Sequence, residues 1–244
     1  MLLMDAWQLM ISEAARFGLS LDPATVEKLK RYYALLIEGN QKTNLTRIVD
    51  EREAVIKHFL DSLTVFSALP RELWDAPLSF IDVGTGGGFP GIPLLIVRPN
   101  WRGTLLEATG KKVAFLAESI QELGLNGVAL HGRAEEVARA PAHRDQSDPA
   151  FARAAAEMSA LSELCLPFVK VGGRFLAMKG STGQAELDKA EKALRLLGGG
   201  DVSVTPLELP EGMGERRLIS VIKKAPTPKA YPRRTGMPTQ KPLG

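Results

Sequence analysis

The spacing of apolar residues changes period along the chain, and the change predicts two regions of different structure. Over residues 1–77, apolar side chains recur at three- and four-residue intervals, which is the period of an amphipathic helix. The pattern predicts three helices. The second begins at Asp22-Pro23, an N-cap followed by proline, and the third begins near Asp50. The stripe of the first helix is formed by Leu3, Trp7, Met10, Ile11 and Ala14. A small helical N-terminal region is therefore expected.

From residue 78, short apolar runs alternate with helical patterns, which is typical of a parallel sheet with right-handed crossovers. The last two runs are separated only by the turn-rich PEGMGERR, so they must pair antiparallel. The sequence thus predicts an α/β, Rossmann-like domain over residues 78–225, with a mostly parallel seven-stranded sheet and an antiparallel last strand. The predicted strands are Ser79–Val83, Thr104–Glu107, Val128–His131, Phe151–Ala155, Arg174–Met178, Val202–Leu209 and Leu218–Ile222.

Charge is distributed unevenly along the chain. The net charge is +3, but the last 22 residues carry six cations and no acid, which leaves −3 on residues 1–222. The six cations are Lys223, Lys224, Lys229, Arg233, Arg234 and Lys241. The basic, proline-rich segment 226–244 is therefore predicted to contact a polyanion, or else to be a solvated tail. Charge alone does not decide between the two.

Cysteine usage and hydropathy predict a cytoplasmic protein with no membrane association. The single cysteine, Cys165, cannot form an intrachain disulfide, which fits a reducing compartment. The first residues, MLLMDAWQLM, have an acid at position 5 and no basic region of the kind that opens a signal peptide. No apolar run approaches the roughly 18 residues that span a bilayer. Since no large unpaired apolar stripe is visible, a monomer is expected.

The stretch SFIDVGTGGGFPGIP places a glycine turn between a strand and the start of a helix, where backbone N–H groups can approach a ligand. Gly86-x-Gly88-x-x-Gly91 matches a dinucleotide fingerprint. Asp82-x-Gly84-x-Gly86-x-Gly88 matches the loop of S-adenosylmethionine-dependent methyltransferases. Asp82 favours the second interpretation, because an acid here would crowd a pyrophosphate but suits an ammonium and a sulfonium. A Rossmann-like class I methyltransferase fold is therefore predicted, with no metal site.

Two further stretches are candidates for the same ligand. Glu107 ends the second predicted strand, where an acid can accept hydrogen bonds from ribose hydroxyls. The alternative is a surface carboxylate at a strand end. Gly132-Arg133-Ala134-Glu135 follows the third strand, where a loop would meet an adenine. Glu135 can also be interpreted as a first-turn acid favoured by the helix dipole.

The methyl acceptor is indicated by the motifs that the sequence lacks. Carbon methylation of pyrimidines needs a cysteine nucleophile, and Cys165 lies in the apolar stretch LSELCLPFV. Methylation of an exocyclic amine uses an Asn/Asp-Pro-Pro-aromatic loop, whereas Asp148-Pro149-Ala150-Phe151 lacks one proline and is interpreted as a turn. An acceptor with a free lone pair remains, such as guanine N7. Its methylation depends on proximity and orientation and needs no general base.

Several motifs together resemble the glucose-inhibited division protein B family. They are Asn44-Leu45-Thr46, His58-Phe59-Leu60-Asp61-Ser62-Leu63, IDVGTGGGFPGIPLLIVRP, Lys111-Lys112-Val113-Ala114-Phe115-Leu116, Gly132-Arg133-Ala134-Glu135, Ala152-Arg153-Ala154, Met178-Lys179-Gly180 and AYPRR. The family consists of bacterial methyltransferases that modify guanine N7 in small-subunit ribosomal RNA. The resemblance implies S-adenosylmethionine as donor, S-adenosylhomocysteine as product, and the ribosomal RNA or the assembling 30S subunit as partner.

The resemblance also assigns residues. It implies donor contacts at Gly84, Phe89, Ala134, Glu135 and Arg153, with Arg153 at the mouth of the active site as a positioning candidate. Glu107 stands where an aspartate is common. Arg216, Arg217, Arg233, Arg234 and Lys179 are candidates for the RNA backbone, although Lys179 can equally be an exposed lysine at a strand end. His58 and Asp61 lie three residues apart on one helical face, either in a structural bridge or at the RNA.

Two other functions remain open from the residues alone. The donor loop is generic, so a methyltransferase acting on a small molecule or a protein is one alternative. A nucleotide-binding regulator that senses a dinucleotide is the other.

Overall fold

The structure is a computed structural model that describes residues 4–153 and 156–244. Its centre is a seven-stranded sheet in the order β3-β2-β1-β4-β5-β7-β6, in which β7 runs antiparallel to both of its neighbours. The strands are β1 (Ser79–Val83), β2 (Arg102–Glu107), β3 (Gly127–His131), β4 (Ser147–Ala152), β5 (Val169–Lys179), β6 (Gly199–Glu208) and β7 (Glu215–Lys223). The predicted Rossmann-like sheet with an antiparallel last strand is confirmed.

The fourth strand begins earlier than the sequence predicts. Phe151–Ala155 was expected, but β4 spans Ser147–Ala152, and Ala154 and Ala155 lie outside the described residues. Asp148-Pro149 was interpreted as a turn and lies inside the strand, where Pro149 is in register with Arg174 beside an irregularity in the pairing. Residues 150–152 are completely buried between β1 and β5. Small alanine side chains fit this crowded central position. A buried strand therefore forms here without the β-branched residues that usually mark one.

The three helical stretches predicted for the N-terminal region are present, whereas a short helix in the C-terminal segment was not predicted. The N-terminal ones are α1 (Ala6–Arg16) and α2 (Pro23–Asn40); Leu3 of the predicted first stripe lies outside the described residues. A continuous helical run over residues 51–67, called here the broken helix, follows. It comprises α3 (Glu51–Ala54), a π-helical segment (Val55–Leu60), α4 (Asp61–Leu63) and a 3₁₀ turn (Thr64–Ser67). The remaining helices are α5 (Gly91–Val97), α6 (Gly110–Glu122), α7 (Ala134–Val137), α8 (Met158–Cys165), α9 (Gly183–Leu196) and α10 (Met237–Gln240).

Helices cover both faces of the sheet and bury an apolar core on each. On one face, α1, α2 and the broken helix pack with α5 and α6 around Tyr32, Phe59 and Phe80. On the other face, α8 and α9 pack around Phe168 and Phe175. The N-terminal helices therefore share a core with the sheet. No helix of the described ranges is long and apolar enough to cross a membrane.

The C-terminal segment (residues 226–244) packs against the second core and differs from the solvated tail considered as an alternative. Pro232 and Pro238 are buried, and Tyr231 and Leu243 contact the core of α8 and α9. Lys223, counted with the basic tail from the sequence, is wholly buried at the end of β7. Its Nζ donates to the carbonyl oxygens of Leu166 at 2.6 Å and Val169 at 3.1 Å, so its charge is directed inward.

Candidate active site

Asp82 fixes the geometry of the glycine loop from beneath. The carboxylate is completely buried at the end of β1, and its Oδ2 accepts hydrogen bonds from Thr85 Oγ1 at 2.6 Å and Gly91 N at 2.8 Å. It thereby joins the end of β1 to the first residue of α5. Burial raises the pKa of Asp82 to about 6. The other oxygen, Oδ1, has no hydrogen-bond partner among the described residues, which leaves one acceptor for a cationic or N–H-bearing group.

Four of the five glycines of this loop fall into two pairs with different tasks. Gly84 and Gly86 have φ of +71° and +61°, and a side chain at either position would meet open space. A Cβ at Gly88 would collide with the Tyr32 hydroxyl, and one at Gly91 would collide with Leu105. The first pair thus leaves room for a ligand, whereas the second pair allows close packing. The position of Gly88 favours the methyltransferase pattern, because the second glycine of a dinucleotide fingerprint has to face the pyrophosphate, whereas Gly88 faces Tyr32.

Glu107 connects three loops at the carboxyl edge of the sheet. Its side chain is 8% exposed, so it is not the surface carboxylate considered as an alternative. Oε2 accepts a hydrogen bond from Gly86 N at 3.1 Å, and Oε1 accepts one from Thr109 N at 2.8 Å. The carbonyl oxygen of Glu107 accepts a hydrogen bond from Gly132 N at 3.1 Å. The glycine loop, the end of β2 and the loop after β3 therefore meet at this residue, as the predicted donor site requires.

Ala134 and Glu135 begin the four-residue helix α7 and are both buried. The Glu135 side chain is directed toward the C-terminal segment, where its Oε1 accepts a hydrogen bond from Gly236 N at 2.8 Å. This contact was not visible in the sequence, because the two residues are 101 positions apart. Any donor contact at Glu135 is therefore made beside an existing link to the C-terminal segment.

Phe89 joins the donor side of the site to a cluster of charged residues. Its buried ring stacks on His58 with 4.8 Å between centroids, and the Arg153 guanidinium lies 5.2 Å from its centroid. Arg153 Nη1 also donates to the Lys57 carbonyl oxygen at 3.0 Å. Lys57 and His58 belong to the π-helical segment, a feature found frequently at functional sites. The structure thus places Arg153 next to Phe89, where the resemblance expected an active-site mouth.

Asp61 lies between two arginines. Its carboxylate is 2% exposed and accepts hydrogen bonds from Arg153 Nη1 at 3.3 Å and Arg216 Nε at 2.8 Å. Sequence reasoning named all three residues but did not connect them. The three-residue spacing of His58 and Asp61 was the only available signal, since Arg153 and Arg216 are 92 and 155 positions away from Asp61.

His58 is held in its neutral form by its surroundings. Burial, together with the charge of Arg153, lowers the pKa of His58 to about 4. Its Nε2 lies 2.7 Å from Thr46 Oγ1, and its Nδ1 lies 3.5 Å from Arg153 Nη2. Because Arg153 can only donate, Nδ1 is the acceptor and Nε2 carries the proton. Thr46 Oγ1 also accepts a hydrogen bond from Ile48 N at 3.0 Å, which fixes the chain at the end of the Asn44-Leu45-Thr46 motif.

These charged residues line a pocket of about 350 Å³, called here the acceptor pocket. Its wall includes Lys57, His58, Asp61, Arg153, Lys179 and Arg216. Lys179 is 5% exposed, which rules out the exposed strand-end lysine. Its Nζ donates to the Ala156 carbonyl oxygen at 2.8 Å and pairs with Glu186 at 2.8 Å.

The other candidates for RNA contact lie in different settings. Arg217 pairs with Glu215 at 3.6 Å and keeps 30% of its side chain exposed. Arg233 pairs with the buried Glu163 at 2.7 Å, whereas the adjacent Arg234 is exposed. The structure therefore brings Arg216 and Lys179 to the acceptor pocket and directs Arg233 to an internal partner.

The chain is similar in architecture to solved structures of methyltransferases. The chain superimposes on an O-methyltransferase from Bacillus cereus with a TM-score of 0.55 at 15% identity, covering 89% of this chain and 98% of that one. It superimposes on a putative O-methyltransferase from Klebsiella pneumoniae with a TM-score of 0.53 at 16% identity, covering 90% and 98%. These likenesses confirm the fold. Together with the glycine loop, they define a class I methyltransferase fold.

Sequence comparison identifies the family. The profile described as rRNA small subunit methyltransferase G matches residues 25–218, and the chain belongs to that family. It is 47% identical over 236 residues to the Ribosomal RNA small subunit methyltransferase G of Pelotomaculum thermopropionicum, covering 96% of this chain and 97% of that protein. The Roseiflexus castenholzii relative of the same name is 46% identical over 232 residues, covering 94% and 97%. The predictions of a methyltransferase acting on ribosomal RNA, with S-adenosylmethionine as cofactor, are confirmed.

Proposed function

We propose that this enzyme methylates N7 of a guanine in small-subunit ribosomal RNA by direct in-line transfer, without a general base. The observation that carries the proposal is the state of the acceptor pocket. The side chains there that could accept a proton are engaged by neighbouring donors. Guanine N7 has a lone pair and loses no proton when it is methylated, so it is an acceptor that such a pocket can serve.

His58 and Asp61 are the two candidate bases, and both are poor ones. The lowered pKa of His58 makes it a weak base at neutral pH, and its Nδ1 lone pair faces Arg153. Asp61 accepts hydrogen bonds from Arg153 and Arg216 through both oxygens. Both oxygens of this carboxylate are therefore directed at guanidinium groups rather than at a bound substrate.

Covalent catalysis by cysteine is also disfavoured. Cys165 is completely buried at the end of α8, and burial raises the pKa of its thiol well above the ordinary value. A thiol that is neutral and enclosed cannot attack a pyrimidine ring. The pocket is therefore better suited to a nucleophilic ring nitrogen than to a carbon acceptor.

The donor site fits S-adenosylmethionine, which supplies an electrophilic methyl group on a sulfonium. Gly84 and Gly86 provide open backbone at the end of β1, and Asp82 Oδ1 provides a buried acceptor for an ammonium group. Glu107 stands at the end of β2, where ribose hydroxyls can donate to it. The backbone of Ala134 would meet the adenine. Phe89 and Arg153 would then position the reacting groups at the boundary with the acceptor pocket.

The RNA would approach from the side of the acceptor pocket. Arg216 and Lys179 line the pocket, Arg217 follows Arg216 on β7, and Arg234 offers an exposed cation elsewhere, so these cations can complement backbone phosphates. We propose that the enzyme acts as a monomer in the cytoplasm on the RNA or on the assembling 30S subunit. The large exposed apolar side chains of the described residues support a monomer, since they lie on separate elements, as with Val128 on β3, Leu196 on α9 and Val202 on β6.

The test is the identity of the methylated base. Small subunits from cells that lack the protein are incubated with the purified enzyme and isotopically labelled donor, and nuclease digests are analysed by mass spectrometry. We expect label in 7-methylguanosine and the loss of one such residue from the untreated RNA. Label in a different nucleoside would overturn the assignment of N7. Equal incorporation at pH 6 and pH 8 with the His58→Asn variant would support the absence of a general base.

A further inference from the structure

The connection between β3 and β4 depends on the C-terminal segment for its structure. Residues 132–146 contain only α7, and a four-residue helix is too short to be stable by itself. Arg139 and Arg144 in this connection donate to main-chain carbonyl oxygens of the C-terminal segment. Arg144 contacts those of Thr227 at 2.7 Å and Tyr231 at 3.0 Å. Arg139 contacts that of Ala230 at 3.3 Å and also that of Pro232.

Acids of the same connection accept hydrogen bonds from the C-terminal segment. Glu135 Oε1 accepts one from Gly236 N at 2.8 Å, and Glu136 Oε1 accepts one from Thr235 Oγ1 at 2.9 Å. The two sets of contacts hold both ends of the connection, with the acids at its start and the arginines toward its end. The loop 132–135, called here the donor loop, is thus linked to residues that follow all seven strands.

A buried ion pair fixes the C-terminal segment to the body of the protein. Glu163 on α8 is completely buried and accepts hydrogen bonds from Arg233 N at 2.6 Å and from Arg233 Nε and Nη2 at 3.0 and 2.7 Å. A buried carboxylate needs such partners, because an unpaired one is strongly unfavourable. Arg233 Nη2 also donates to the Lys241 carbonyl oxygen at 2.7 Å, which closes the segment on itself.

We propose that the C-terminal segment is a brace that holds the donor loop in its binding conformation, with Arg233 as a positioning residue. This inference rests on the proposed placement of Ala134 and Glu135 in the donor site. The reason is preorganisation. A loop that samples several conformations binds the donor only in the binding conformation, so its apparent affinity falls in proportion to the fraction of molecules in that conformation. Loosening the brace therefore weakens donor binding. A role for Arg233 in binding RNA alone would leave donor affinity unchanged.

The experiment measures the affinity for S-adenosylhomocysteine by calorimetry in the absence of RNA. We expect Arg233→Ala to raise the Kd about tenfold. This value corresponds to a donor loop that is in its binding conformation in only about one molecule of ten. Lys229→Ala is the matched control. It removes one positive charge from the same segment, and its exposed side chain has no hydrogen bond or ion pair within the described residues. Its Kd should remain within about twofold of the wild-type value.

A second variant distinguishes the loss of the brace from simple misfolding. Arg139 is exposed and contacts the brace only through carbonyl oxygens, so Arg139→Ala should fold normally, as circular dichroism can verify. We expect it to raise the Kd and the KM for donor about threefold while the KM for RNA is unchanged. Arg233→Lys, which keeps a donor for Glu163, should recover part of the loss. Unchanged donor affinity in folded Arg139→Ala overturns the brace.

An error in the brace proposal can be distinguished from an error in the proposed donor site. Glu107→Ala probes the donor site directly, without touching the C-terminal segment. If Glu107→Ala weakens binding and the Arg139 and Arg233 variants do not, the brace is wrong and the site stands. If Glu107→Ala has no effect, the assignment of the donor site is wrong.

Discussion

At the residue scale, the acceptor pocket is organised by the ion pairs of Asp61. A carboxylate that is 2% exposed and bonded to Arg153 and Arg216 holds two side chains that would otherwise be free to move. Breaking a buried pair of this kind by removing one partner costs about 3–5 kcal/mol, since the other charge is left unpaired. The same bonds set the direction of the guanidinium groups, so Asp61 combines a structural task with the placement of the proposed RNA contacts.

Glu107→Ala should weaken donor binding at least tenfold, since it removes the acceptor predicted for the ribose. It also removes the acceptor for Gly86 N and Thr109 N, which shape the loop around it. Calorimetry with S-adenosylhomocysteine measures the effect. Glu107→Gln is the matched variant, because its single carbonyl oxygen keeps part of this network, and it should lose less affinity. Equal affinity of Glu107→Ala and wild type would remove Glu107 from the site.

His58 gives the stability of the protein a pH dependence. Its folded pKa of about 4 lies below the ordinary value of 6.5, so the unfolded state binds the proton more readily. The contribution of His58 to stability is therefore fully present above pH 6.5 and is lost as the pH falls toward 4. Asp82 acts in the opposite sense. Its pKa is raised to about 6, so acidification below pH 6 stabilises the folded state.

His58→Asn should separate these two contributions. Between pH 7 and pH 4, the difference in unfolding free energy between wild type and variant should change by about 3 kcal/mol, because only the wild type loses the histidine contribution. Urea denaturation at several pH values measures it. Parallel curves for the two proteins over this range would contradict a depressed His58 pKa.

Single residues also show what the sequence could and could not reveal. Glu107 and Gly84 were identified because a strand, a turn and a helix start follow one another locally, and local order determines their position at the edge of the sheet. The pairing of Asp61 with Arg153 and Arg216 depends on how distant elements pack, and no local pattern encodes it. The pairing of Arg233 with Glu163 was missed for the same reason, which is why the C-terminal cations were treated as surface charges.

At the element scale, α2 supports the glycine loop from the side opposite to the proposed ligand. Tyr32 on α2 is wholly buried, and its hydroxyl donates a hydrogen bond to the Gly87 carbonyl oxygen. Its ring lies 5.6 Å from that of Phe89, between centroids. The helical N-terminal region was predicted from its apolar period alone, and that period could not show that the Tyr32 hydroxyl reaches into the loop. The region therefore contributes to the shape of the donor site.

Tyr32→Phe should destabilise the protein by about 1–3 kcal/mol, because the buried Gly87 carbonyl oxygen loses its partner. It should also weaken donor binding, since the loop loses a support. Tyr33→Phe is the matched control. Its hydroxyl donates to the Val49 carbonyl oxygen at 3.1 Å in an exposed position, where water can replace it, so a loss below about 1 kcal/mol is expected. Chemical denaturation and calorimetry measure both, and equal losses in the two variants would contradict the support by α2.

At the scale of the whole molecule, three regions of the chain converge on one edge of the sheet. The broken helix supplies His58 and Asp61, the end of β2 and the residue after β4 supply Glu107 and Arg153, and β7 supplies Arg216. The net charge of +3 is modest, so RNA affinity has to come from where the cations lie rather than from how many there are.

Arg217→Ala should therefore weaken RNA binding and reduce the slope of log K against log salt by about 0.7 to 0.9, the value for one phosphate contact. Donor affinity should be unaffected. Arg195→Ala on α9 is the control, because it removes the same charge from a side chain that is 71% exposed and paired within its own helix. Filter binding at several salt concentrations measures the slopes. Identical slopes for the two variants would remove Arg217 from the RNA surface.

The brace has a consequence for the order in which the enzyme is made. Translation proceeds from the N-terminus, and the N-terminal helices and all seven strands are synthesised before residues 226–244. A nascent chain that has completed its sheet still lacks the partners of Glu135, Arg139 and Glu163. The donor loop is therefore held loosely until residues 226–244 emerge from the ribosome. An enzyme whose substrate belongs to the ribosome would in this way acquire its methyl donor only after residues 226–244 have been synthesised.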